Sequence, residues 1–269
     1  MDIPRDQFKI NVARSFGRAA LTYDGVAELQ RKIGRALINQ LPPLAAESVV
    51  LDLGAGTGFF ARHLAGMFAE ARVIALDIAE PMLRQAQSGF GGYSVVGDAE
   101  ALPFSNESVD LVFSNMCIQW CRSPDRLFAE IRRILKPQGR VIFSTFGPQT
   151  LSELRRAWAA GDDYDHVIDF SSAAEIEQAM ESAGLIWSDK AYWLERCPYP
   201  DVFALMRELK GLGARNASGH RSRGMTGKGR LAAMIAAYPP AESGIGKGGI
   251  VATFEMMGGQ LRCAGGCLE

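Results

Sequence analysis

Apolar residues recur every three or four positions over residues 5–20 (Phe8, Val12, Phe16), which predicts an amphipathic helix. Thr22-Tyr23-Asp24 interrupts that period. Asp24 is expected to cap a second helix with an apolar face of Val26, Leu29, Ile33 and Leu37, which Leu41-Pro42-Pro43 then ends. Val49-Val50-Leu51-Asp52-Leu53 has the apolar, β-branched character of a strand buried on both faces. Gly54-Ala55-Gly56-Thr57-Gly58 closes it, and helical spacing resumes over Phe59 to Phe68. The alternation continues. Strands are predicted at 72–77, 93–96, 108–115, 140–146, 185–195 and 250–257. Helices are predicted from Pro81, at 127–135 up to Lys136-Pro137-Gln138-Gly139, and at 150–160 and 172–183. Two more helices over 200–238, joined through 211–224, precede the last strand. Buried strands alternating with amphipathic helices predict an α/β, Rossmann-like fold. Its sheet is mostly parallel and seven-stranded, with helices on both faces.

The candidate chemistry sits where strands end. Three alternate glycines after the first strand let the chain turn sharply and let a ligand approach main-chain N–H groups, ahead of a positively polarised helix N-terminus. The spacing is G-x-G-x-G, and Asp52 precedes the first glycine by two residues. A carboxylate there disfavours a pyrophosphate and favours an ammonium group. Asp77, at the end of the second strand, stands where a carboxylate accepts both hydroxyls of a ribose, with Ile78 beside it for an adenine face. Asp98 follows the third strand, placed to accept from an adenine amino group while the Ala99 N–H meets a ring nitrogen. Asn115 ends the fourth strand. A structural turn and a nucleotide site are the competing readings of the glycines, and a cap that of Asp77.

These runs resemble motif I and the ribose and adenine loops of the class I S-adenosylmethionine-dependent methyltransferases. Narrower matches are V-A-R-S-F-x-R-A-A-x-T-Y-D at 12–24, S-N-x-x-x-Q-W-C at 114–121, M-R-E-L-K-x-L-G-A-x-N at 206–216 and G-M-T-G-K-x-R-L at 224–231. Over about 5–238 the chain is similar to the malonyl-[acyl-carrier-protein] O-methyltransferases of biotin synthesis. It departs from them over the last thirty residues and at Asp169, where many relatives carry an arginine. The resemblance implies one class I methyltransferase domain over 1–269. Its parts are an N-terminal helical lid (1–42), a cofactor-binding core (43–195), a basic helical insertion (196–240), and a last strand with a glycine-rich tail (241–269). It implies S-adenosyl-L-methionine as cofactor, held by Asp52, Gly54, Ala55, Gly56, Thr57, Gly58, Asp77, Ile78, Met82, Asp98, Ala99, Glu100 and Asn115. The implied acceptor is the free carboxylate of a malonyl thioester on acyl carrier protein, or on coenzyme A. Such a carboxylate is ionised at pH 7 and needs no general base; alignment and exclusion of water are what the enzyme adds.

Tyr23, Gln119 and Trp120 are candidates to line the methyl-transfer chamber, with plain core packing as the alternative for Trp120. His166, Arg207 and Lys210 are candidates to hold the substrate. The latter two lie three apart on one helix, where a solvated basic face is the alternative. A small-molecule methyltransferase, of quinone type for example, or a cofactor-binding assembly factor also fits the motifs.

Composition narrows the partners. Charged residues make up 22% and hydrophobic ones 48%, ordinary for a globular chain, and the net charge of -1 argues against a general nucleic-acid binder. Charge is uneven, however: residues 201–240 hold seven Lys/Arg against two acids. No apolar run approaches the roughly 20 residues of a membrane span, and residues 1–14 are too polar for a secretory signal. The five cysteines lack zinc-site spacing, so no metal is expected and the thiols suit a reducing cytoplasm.

Overall fold

The computed structural model describes residues 5–214, 227–241 and 248–264. Two helices, α1 (Arg5–Ala19) and α2 (Glu28–Ile38), precede the first strand. The repeating part follows: β1 (Val49–Leu53), α3 (Phe59–Met67), β2 (Arg72–Asp77), α4 (Glu80–Ala86), β3 (Tyr93–Val96), β4 (Val109–Asn115), α5 (Pro124–Ile134) and β5 (Leu135–Phe146). Then come α6 (Ser152–Ala159), α7 (Ala173–Ser182), β6 (Leu185–Tyr199), α8 (Val202–Gly211), α9 (Lys228–Ala237) and β7 (Ile250–Cys263).

The seven strands form one sheet in the order β3-β2-β1-β4-β5-β7-β6. The first five pair in parallel, and β7 runs antiparallel to both β5 and β6. The inner parallel strands β1, β4 and β5 hide both faces, whereas the edge strand β3 is partly exposed. Val50, Val73 and Leu111 meet Phe60, Leu64 and Leu83 from α3 and α4, with Leu37 of α2. Leu51, Val112 and Phe143 meet Leu127, Phe128, Ile131 and Met180 from α5 and α7. A third apolar cluster joins α2, α6, α8 and α9 to the start of β7 through Leu29, Trp158, Leu205, Met234 and Phe254. Strand order reverses between β1 and β4, and an open parallel sheet leaves its ligand crevice at that point, beyond the carboxyl ends.

Four expectations need correcting. Asp24 does not cap α2. It lies in a short 3-10 turn (Tyr23–Gly25), and its Oδ1 accepts from Thr57 Oγ1 at 2.7 Å, fastening the lid joint to the glycine turn. The Lys136–Gly139 segment is not a turn but an extended bulge. Leu135 pairs with Val109, and regular pairing resumes at Arg140 opposite Leu111. β6 continues to Tyr199, four residues past the expected strand end at 195. β7 reaches Cys263, six residues beyond the expected end, because glycine weakens a strand's sequence signal. Gly258 and Gly259 are required there, since a β-carbon would lie 2.7 Å from the Phe143 carbonyl and 2.2 Å from that of Asp189.

Candidate cofactor and acceptor site

The Gly54–Gly58 turn is built from backbone. Gly54, Gly56 and Gly58 all have positive φ (78°, 55° and 74°), which side chains adopt only at a cost. The N–H groups of Gly54 and Ala55 both donate to the Leu76 carbonyl, at 2.8 and 2.9 Å, tying the turn to the end of β2. Asp77 completes the tie. Its Oδ2 accepts from Gly56 N at 2.9 Å and its Oδ1 from Ala79 N at 2.8 Å, leaving further lone pairs on each oxygen for a ligand. Burial raises the Asp77 pKa, against the opposing effect of the Ala79, Gly56 and Ile78 N–H groups.

Two adjoining cavities flank this turn. The larger is lined by Asp77, Ile78 and Met82 on one side and by Asp98, Ala99, Asn115 and Trp120 on another, with Val12 and Phe16 of α1 across it. The smaller lies against Asp52, Gly54, Ala55, Gly56 and Thr57, beneath Tyr23, Gln30 and Arg31. Tyr23 borders both. Burial above all, with Asp77 and Asp24 nearby, raises its pKa, so the phenol is neutral. Asp52 is 2% exposed, and its Oδ2 has no hydrogen-bond partner. Burial, reinforced by Asp77, pushes its pKa up to about 8 despite an N–H bond from Ala61.

Lys9 was not anticipated from the sequence. It reaches from α1 into the larger cavity and pairs with both Asp98 and Glu100. Burial acts to lower its pKa, but these two bonds outweigh it and hold the ammonium. Asp98 also accepts from Glu100 N at 2.9 Å. Glu100 stands behind Lys9 and is not among the lining residues: its Oε2 pairs with Lys9 and its Oε1 takes the Ser123 N–H at 2.7 Å. Asn115 is locked by Gln30 O and Ser144 Oγ, at 3.0 and 2.9 Å. Next to it Met116 lines the larger cavity at φ 53°, strained backbone of the kind that gathers at ligand sites. The signal for Lys9 and Phe16 was present in the helical spacing of Phe8, Val12 and Phe16. Nothing in the sequence marked Met116 or Cys117.

A third cavity meets the first at Trp120 and the second at Gln30. Leu29, Phe146, Leu151, Val167, Ile168, Phe170, Leu209 and Phe254 make it apolar, with Thr150, His166 and Glu208 as its polar points. Phe16 packs edge-on to Trp120, centroids 5.1 Å apart, so the lid helix also braces the shared wall. His166 stacks on Trp158 at 3.7 Å and bonds Asp162 Oδ1 at 2.7 Å, which sets its ring in the wall. Gln119 is not among the lining residues. Its amide is held between Met116 O at 2.7 Å and Thr145 Oγ1 at 3.2 Å, a brace beneath the Asn115–Trp120 segment.

Arg207 and Lys210 are exposed and line none of these cavities. On α8 the positions that face the third cavity are Glu208, Leu209 and Leu212, and a helix turns Arg207 and Lys210 off that face. Glu208 accepts from Tyr199 OH at 2.8 Å, and burial raises its pKa. Asp169 also points out, 98% exposed and paired with Arg155 at 3.0 Å, while its neighbours Ile168 and Phe170 line the cavity. Arg215, Arg221 and Arg223 lie outside the described residues. Among the described residues no group of three or more His, Cys, Asp or Glu could hold a metal ion, and no helix is long and apolar enough to cross a membrane.

The donor set fits S-adenosylmethionine. A buried carboxylate oxygen without a partner faces the glycine turn, a second carboxylate ends β2, and Val12, Phe16 and Tyr23 of the lid give the larger cavity an apolar and aromatic wall. Residues 51–143 match the family model described as a methyltransferase domain. The malonyl-[acyl-carrier protein] O-methyltransferase of Methylococcus capsulatus is 49% identical over 84% of this chain and 84% of its own. Among solved structures, the YcgJ protein of a Bacillus superposes with a TM-score of 0.60 at 18% identity, over 87% of this chain and 100% of that one. The geranyl diphosphate C-methyltransferase of Streptomyces coelicolor, solved with S-adenosyl-L-homocysteine, gives 0.55 at 17% identity, over 88% and 80%. These two likenesses show the fold. With nearly half its residues shared across most of both chains, this chain belongs to the malonyl-[acyl-carrier protein] O-methyltransferase family, as an S-adenosylmethionine-dependent methyltransferase.

Proposed function

We propose that this chain methylates the free carboxylate of a malonyl thioester carried on acyl carrier protein, in the synthesis of biotin. The observation that carries this reading is the joining of a cofactor-shaped pair of cavities to a separate apolar cavity through Trp120 and Gln30. In this reading Asp77 takes the ribose hydroxyls, and Ile78, Met82, Asp98 and Ala99 surround the adenine. Asp52 and the Gly54–Gly58 turn hold the amino acid tail. Bound S-adenosylmethionine supplies an electrophilic methyl group on sulfur. The residues of this chain orient the partners and keep water out: Tyr23 and Trp120 wall the junction, Gln119 stiffens it, and His166 and Glu208 are the polar points on the acceptor side. The described part of the insertion, with Arg207 and Lys210 outward, is assigned to docking of an acidic carrier protein. We place the reaction in the cytoplasm, where thiols such as Cys117 and Cys197 stay reduced.

The direct test is mass spectrometry of malonyl-loaded carrier protein incubated with enzyme and S-adenosylmethionine. One added methyl on the malonyl group is expected; an unchanged malonyl group beside a methylated small molecule would overturn the reading. Docking has its own test. Reversing Arg221 and Arg223 to Glu should raise KM for the carrier-protein substrate several-fold at low salt, and change kcat/KM for malonyl-coenzyme A much less. Equal effects on both would move recognition to the thioester arm.

Asp52 yields a titration prediction. Its folded pKa lies above the ordinary value of 3.8, so its contribution to the stability of the free protein is complete below about pH 4. That contribution is lost as pH rises through about 8. An ammonium group placed beside it favours the ionised form. Cofactor binding at pH 7 should therefore release close to one proton, seen as a buffer-dependent enthalpy in titration calorimetry. Asp52→Asn should abolish the release. Binding without proton release in the wild type would remove Asp52 from the ammonium site.

A further inference from the structure

Three buried side-chain polar atoms among the described residues have no hydrogen-bond partner: Gln30 Oε1, Asp52 Oδ2 and Ser94 Oγ. Two of the three, Gln30 and Asp52, line the same cavity over the glycine turn. A buried acceptor left without a donor costs free energy, so two of them facing one space point to a donor-rich group that fills it. Gln30 is held for that purpose. Its main-chain carbonyl accepts from Asn115 Nδ2 at 3.0 Å, which fixes this turn of α2 over the end of β4. Arg31, next in sequence, lines the same cavity and donates to Asp24 O at 2.6 Å. The cavity thus presents two unsatisfied acceptors together with a cation, the complement of a zwitterion.

We propose that Gln30 is a cofactor-binding residue: its Oε1 accepts a hydrogen bond from the α-ammonium group of the S-adenosylmethionine tail, beside Asp52. This rests on the cofactor reading above and extends it to the lid. Helix α2 is then part of the cofactor site, and the same side chain borders the acceptor cavity. An acceptor-side role is disfavoured by charge, because a carbonyl oxygen repels a carboxylate and attracts an ammonium. A charged donor also makes the stronger hydrogen bond.

The test compares the binding of S-adenosylhomocysteine and of its desamino analogue, which lacks only the ammonium group, by calorimetry. Gln30→Met keeps length and volume and removes the acceptor. It should weaken S-adenosylhomocysteine about tenfold to a hundredfold, the range of a hydrogen bond to a charged group, and leave the desamino analogue within about twofold. Gln30→Glu, which keeps an acceptor there, should bind S-adenosylhomocysteine about tenfold to a hundredfold more tightly than the Met variant. Equal weakening of both ligands, or of neither, overturns the proposal. So does a loss that follows removal of the tail carboxylate instead, which would mean that the amide nitrogen faces the ligand. If Gln30→Met fails to fold, the ratio of the two affinities in Gln30→Glu decides. A ratio at or above that of the wild type supports the proposal, and a ratio near one overturns it. Failure of the wild type to bind S-adenosylhomocysteine at all would instead sink the cofactor reading.

Discussion

Asp77→Ala should weaken S-adenosylmethionine binding by roughly 1–3 kcal/mol, or about fivefold to more than a hundredfold, while the protein still folds. Two effects add. The ribose hydroxyls lose an ionised acceptor, and the Gly56 and Ala79 N–H groups lose the oxygens that now hold them at 2.9 and 2.8 Å. Stability should suffer less than binding. Burial already disfavours the Asp77 carboxylate, as its raised pKa shows, so removing the charge also removes a cost of folding. Calorimetry gives the affinity and a thermal melt the stability. A folded variant with wild-type affinity would take Asp77 out of the site.

The second large effect separates two glycines that look alike in sequence. A β-carbon at Gly54 would lie 2.4 Å from Cys117 Sγ and 2.5 Å from Cys117 Cβ, at φ 78°. Gly54→Ala should therefore damage the fold itself. Left-handed strain costs about 1–2 kcal/mol and overpacking about 1–3 kcal/mol more. A β-carbon at Gly56 meets nothing within 4 Å, and its φ of 55° is the least strained of the three. That open space is the cavity where the tail is assigned. Gly56→Ala should melt within a few degrees of the wild type and yet lose most of its cofactor affinity. Should Gly56→Ala bind normally, the tail does not pass over this turn.

The order of strands and helices up to β5 was legible because the inner parallel strands, buried on both faces, leave continuous apolar runs, and the intervening helices keep their period. So were Asp52, Asp77 and the glycines. Their positions follow from strand ends, and the first line of chemistry in an open α/β sheet lies at strand ends. The last strand was legible only in its first half. Its second half carries glycines for close main-chain approach to β5 and β6, which reads in sequence as a tail. The substrate candidates on α8 lie outside the cavities for a related reason. Sequence shows that Arg207 and Lys210 share a face but not which face turns inward, and packing chose Glu208 and Leu209.

By itself the sequence determined the fold class, the family and the strand-end carboxylates, because these depend on period and spacing along the chain. Tertiary structure alone decided what closes the site. Lys9 meets Asp98 across 89 residues, Thr57 meets Asp24 across 33, and Asn115 meets Gln30 across 85. No local pattern encodes such pairs. They form only when the helices ahead of the sheet fold back over its carboxyl edge, where buried polar groups from distant segments must satisfy one another or wait for a ligand.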